Sequence, residues 1–114
     1  MGVELVLCWQ KDDNHEERWM YILKVTYYPM EFYTWIDKAA PTPNLNIRYL
    51  NTYKTWLKKI LAICKDFPRV ITKLGRKPKI MIEAIQEDLK QIDIAMRKAK
   101  KLRSTNKYVW LHVG

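Results

Sequence analysis

Glycine is scarce, at 3 in 114 residues. That excludes a Gly-rich phosphate loop and leaves little room for long flexible linkers. Cysteine is scarcer still: Cys8 and Cys64, each inside an apolar run. Two such residues make neither a disulfide framework nor a CxxC site. Reduced thiols in a reducing compartment, cytoplasm or nucleus, are expected. No apolar run reaches the roughly 18 residues that a membrane-spanning helix needs. The segment Met1 to Val6 lacks the basic region of a signal peptide, and Val6 stands where N-myristoylation prefers Ser or Thr. It reads as the lead-in to a strand.

Catalytic signatures are missing as well. There is no GxSxG, HExxH, Walker A or Rossmann glycine pattern. His15 and His112 are the only histidines, and neither has an evident pairing with Cys8 or Cys64. The densest set of potential metal ligands is Asp12-Asp13-Asn14-His15-Glu16-Glu17. It lacks the alternation and the glycine of a calcium loop, and reads as a solvated acidic hairpin loop. No metal, cofactor or catalytic residue is therefore expected, and the chain is not expected to be an enzyme. A small enzyme without motifs would need polar groups converging in a cleft.

What the sequence has is positive charge, unevenly placed. Net charge is +9. Residues 1–40 hold 4 basic and 7 acidic side chains, net −3, whereas residues 41–114 hold 17 basic and 5 acidic, net +12. Solubility alone accounts for a Lys-rich surface, but the asymmetry exceeds what solubility needs. An anionic partner is implied: nucleic acid, an acidic protein or an anionic membrane surface.

Periodicity places that charge. Residues 3–10 alternate, with Val3, Leu5, Leu7 and Trp9 on one face. Residues 19–28 alternate likewise, with Trp19, Tyr21, Leu23, Val25 and Tyr27 together. The polar stretch 11–18 between them predicts an antiparallel hairpin. Pro29 ends the second strand, and Phe32, Trp35 and Ile36 suggest a short helix over 30–38. Over 44–67, Tyr49, Tyr53, Trp56, Leu57, Ile60, Ile63, Cys64 and Phe67 share one helical arc. Arg48, Lys54, Lys58, Lys59, Lys65 and the following Arg69 take the opposite side. A basic connector with Lys73, Arg76, Lys77 and Lys79 carries the breakers Gly75 and Pro78. Residues 79–103 form a second long helix with a seam of Ile82, Ile85, Leu89, Ile92, Met96 and Ala99. Residues 107–113 read as an apolar terminal strand, which must pair with an edge of the hairpin.

The expected architecture is one α+β domain spanning 1–114, ordered β-β-(short α)-α-α-β. A three-stranded antiparallel sheet, made of the N-terminal hairpin plus the C-terminal strand, packs on a two-helix hairpin. Antiparallel helices bring Arg97, Lys98, Lys100, Lys101, Arg103 and Lys107 near the start of the first long helix, so a basic stripe can run the length of the hairpin. The dipole of the second helix explains the order of its charges but not their excess. Lys98 to Arg103 also fits a nuclear localisation patch, a weak motif. Of the aromatics, Tyr28, Tyr33 and Tyr108 are the ones expected outside the core, where bases could stack.

The function expected is a non-enzymatic nucleic-acid-binding domain that grips the phosphate backbone of duplex RNA or DNA, largely without sequence readout. It is expected as a homodimer, with exposed positions such as Ile94 buried between copies. The composition is compatible with a viral, phage or plasmid accessory protein. The alternative is a protein-interaction or assembly module, such as a host-factor antagonist or a matrix-like protein on anionic membrane.

Overall fold

A computed structural model describes residues 4–24 and 44–113. Its elements are β1 (Glu4–Gln10), β2 (Arg18–Lys24), β3 (Asn44–Leu45), α1 (Tyr49–Asp66), α2 (Pro68–Lys73), α3 (Pro78–Arg103) and β4 (Tyr108–Val113). The antiparallel sheet runs β2-β1-β4-β3. The expected hairpin and the pairing of the C-terminal strand with its first strand are both present. The two residues of β3 are added beyond β4, in what the sequence suggested was the start of a helix. The short helix expected over 30–38 lies outside the described residues.

The inner face of the sheet follows from the alternation in β1. Leu5 and Leu7 are buried, and Leu7 lies directly opposite Leu111 of β4. Burying each such side chain stabilises the fold by about 1.5–3 kcal/mol. β2 departs from simple alternation. Leu5 is paired with Leu23 but Val6 with Tyr21, so Ile22 is an extra residue, a bulge. The bulge turns Leu23 inward while leaving Trp19 and Tyr21 on the outer face, where they are 70% and 46% exposed. Two of the three described residues of the apolar face expected for this strand thus point outward; Val25 and Tyr27 lie outside the described residues.

α1 begins after a turn in which the Asn46 side chain accepts the Arg48 N–H and the Asn46 carbonyl accepts the Tyr49 N–H. It buries Leu50, Tyr53, Leu57, Ile60 and Cys64. Pro68 cannot continue that helix but suits the first turn of the next, so α2 starts there. α2 occupies part of the stretch read from the sequence as a connector. It ends at Gly75, whose φ of +80° favours glycine, and there the Arg76 N–H closes onto the Ile71 carbonyl. Pro78 then opens α3, which buries Met81, Ile85, Ile92, Ala95 and Ala99. The two long helices lie antiparallel, α1 packed on α3 and α3 on the sheet. The contacts of α3 with α1 and with β1, β2 and β4 enclose the core.

Candidate nucleic-acid interface

Each expected cation sits where its element puts it. Thirteen of the fourteen are exposed; Lys54 alone is half-buried. On α1, Lys54, Lys58 and Lys65 recur at steps of four and seven along one flank, beside α3. On α3, Arg97 lies four residues beyond Asp93, on the flank that faces them. Lys54 Nζ donates to Asp93 Oδ1 at 2.7 Å across the two helices. That hydrogen bond holds the Asp93 carboxyl below its ordinary range, and the charges of Lys54, Arg97 and Lys58 push it the same way. Three cations from two helices thus surround one carboxylate, in a valley turned away from the sheet. The sequence placed Lys54 facing outward with Lys58. The structure instead commits it to the joint between the helices, because Asp93 lies within reach of its flank.

A second group forms where α1 starts and α3 ends, as antiparallel packing requires. Arg48, Lys100 and Arg103 surround a cleft of about 260 Å³ floored by Met96 and Ala99, with the amides of Asn46 and Asn51 on its wall. Arg48 also sits over the Tyr49 ring at 5.8 Å. Nearby, Lys98 Nζ lies 5.3 Å from the centre of the Trp9 ring, which ties the end of α3 to the sheet. Lys101 is exposed on the outward side of the same turn. A third group, Arg69, Lys73, Arg76, Lys77 and Lys79, lies at the far end of the helical hairpin. Lys59 stands apart on the other flank of α1, over Trp56 at 4.9 Å. The fourteen cations therefore form a valley with a cluster at each end, plus one outlier.

Lys90 lies outside the expected set, and Lys100, part of the basic run 97–107, takes a place that the run alone does not give. Lys90, exposed, is seven residues before Arg97 and extends the same face. Lys100 lines the cleft rather than the outer face. The spacing on α3 carries the signal for Lys90; that for Lys100 needs the position of α1.

The other candidate chemistry resolves differently. In the acidic loop Asp12 organises its own neighbours: its carboxylate accepts the Asn14 N–H at 2.8 Å and lies 2.6 Å from His15 Nδ1. Its carboxyl is held low, chiefly by that contact with His15. Asp13 accepts the Tyr108 hydroxyl at 2.7 Å and Lys107 Nζ at 3.3 Å. Tyr108 is thereby engaged and half-buried; Tyr28 and Tyr33 lie outside the described residues. Among the described residues no three His, Cys, Asp or Glu side chains converge to hold a metal ion. Both cysteines are free thiols, Cys64 in the core and Cys8 half-buried, and burial raises the pKa of each.

The outer face of the sheet has the opposite character to the helices. Glu4, Glu17, Val6, Cys8, Trp19, Trp110 and His112 line a groove of about 540 Å³ there, with Arg18 as its cation. The excess of positive charge therefore lies on the helices, since the described sheet and its loop carry 4 cations against 5 carboxylates. No family model matches the chain, and no curated protein or solved structure matches it.

Proposed function

We propose that this chain is a non-enzymatic nucleic-acid-binding domain that holds a duplex by its phosphates. The observation that carries the reading is the valley between α1 and α3. Lys58, Lys65 and Arg97 are exposed there and, among the described residues, have no carboxylate hydrogen-bonded to them, while Asp93 is taken up by Lys54. Exposed cations in a row gain by replacing the counterions condensed on a phosphate backbone, and that gain needs no contact with a base edge. The clusters at the two ends extend the row. The helices that carry the cations are braced by the core, so little ordering entropy is lost on binding.

Lys58→Glu, Lys65→Glu and Arg97→Glu in one chain test the reading. All three positions are exposed, so the circular dichroism spectrum and the urea midpoint should stay close to wild type. Binding to a duplex in a fluorescence-anisotropy titration should be lost. A folded triple variant that binds as wild type refutes the proposal.

A further inference from the structure

A phosphate-only surface gains nothing from exposed apolar side chains, yet three of the largest lie together at the far end of the helical hairpin. Phe67, between α1 and α2, is 63% exposed; Val70 in α2 is 45% exposed; Ile80, in the first turn of α3, is 57% exposed. Helical phase alone placed Phe67 on the buried arc of α1. The break at Pro68 turns it out, with its backbone outside the helical region at φ −132° and ψ 59°.

These side chains stand on a fixed base. The Phe67 N–H donates to the Ile63 carbonyl at 2.8 Å, and the Phe67 carbonyl accepts the Val70 N–H at 3.0 Å. Beneath them Ile71 is fully buried and roots α2 in the core. In the same stretch of chain stand Lys65, Arg69, Lys73, Arg76, Lys77 and Lys79, all exposed, and between residues 65 and 80 the single carboxylate is Asp66. Exposed aromatic and aliphatic tips interspersed with exposed Lys and Arg match the two halves of an anionic bilayer surface. The cations meet the headgroups, and the apolar tips enter the acyl boundary below them.

We infer that the end of the hairpin bearing Phe67, Val70 and Ile80 docks on an anionic lipid membrane. The contact is peripheral, since among the described residues no helix is long and apolar enough to cross a bilayer. It stands on exposed apolar groups that the proposed phosphate grip does not use, and so does not depend on that reading.

The test is flotation of the full chain with phosphatidylcholine vesicles, with and without phosphatidylserine, beside a duplex titration of the same proteins. Wild type should float with the phosphatidylserine vesicles and not with phosphatidylcholine alone. Phe67→Ser with Ile80→Ser, both at exposed positions, should weaken vesicle binding about tenfold and leave duplex binding unchanged. Arg76→Gln with Lys77→Gln should also weaken it. Absence of flotation by wild type overturns the inference. So does a Phe67/Ile80 variant that floats as wild type, because charge alone would then account for the attraction. If that variant instead loses duplex binding, the apolar pair is a wedge for nucleic acid and the membrane assignment is wrong.

Discussion

Lys54 and Lys58 stand one turn apart on the same flank of α1, yet they do different work. Lys54 joins the helices through Asp93, and Lys58 stays exposed beside it. Local sequence cannot separate them, because the carboxylate that chooses between them is 39 residues away. The cationic face as a whole was legible, since helical phase needs only neighbours; the partner of one lysine was not. Asp93 also makes a prediction whose sign is unusual. Asp93→Asn removes the tie between α1 and α3 and also removes the negative charge from the valley, releasing Lys54. Duplex affinity should therefore rise, and binding should fall more steeply with salt, even though the fold is slightly weaker. Anisotropy titrations at several salt concentrations check this. The same residue sets a pH dependence. Its pKa in the folded chain is lowered from 3.8, so the tie contributes fully above that value and is lost as pH falls through the lowered one. The Asp93 side chain is about half exposed, so solvent screens the pair and its share is small. Urea midpoints at about pH 7 and about pH 3 should differ less for Asp93→Asn than for wild type.

Among the elements, α3 shows what a repeating pattern can and cannot locate. The seam of Ile82, Ile85, Leu89, Ile92, Met96 and Ala99 identified the helix and the side that packs. The structure buries Ile85, Ile92 and Ala99 from that seam, leaves Ile82, Leu89 and Met96 half-buried, and adds Met81 and Ala95. The helix is rotated because it has two partners, α1 on one flank and the sheet on the other, whereas a heptad reading assumes one. Ile92→Ala should then cost about 2–5 kcal/mol. Leu89→Ala should cost less than about 2 kcal/mol, as it vacates a half-exposed position. Urea unfolding of the two variants separates them, and equal losses would return the buried arc to the heptad seam. In β2 the obstacle was different. Either alternate set of residues reads as a strand face, and the bulge at Ile22 lets Met20 and Leu23 pack on the core from opposite phases. An inserted residue leaves no trace in a periodicity that it interrupts only once.

At the scale of the whole molecule, sequence order and charge balance were enough for the architecture, because the terminal strand had few edges on which to pair. The order of contacts along the cationic face needed the antiparallel helices in place. The described residues extend 52 × 23 × 17 Å, and that long axis would cover about 15 base pairs at 3.4 Å each. Its cations are mostly Lys, 15 against 6 Arg, and Lys acts as a point charge rather than a bidentate reader of guanine. Affinity should accordingly grow with duplex length up to about that span. Unrelated duplexes of equal length should differ by less than about tenfold, or about 1.4 kcal/mol. Competition titrations at one fixed salt concentration measure this, and discrimination of about a thousandfold would reveal base readout instead. The imbalance of charge between the layers has one more effect. With 16 cations against 5 carboxylates on residues 46–104, and 4 against 5 on the sheet and its loop, the described residues form an electric dipole as well as a net cation. The field of a polyanion therefore exerts a torque on them as well as a pull, and turns the helices forward during approach. On the proposed reading, encounters with a duplex should arrive pre-aligned, and the acidic loop, although it is repelled, should help to steer the capture.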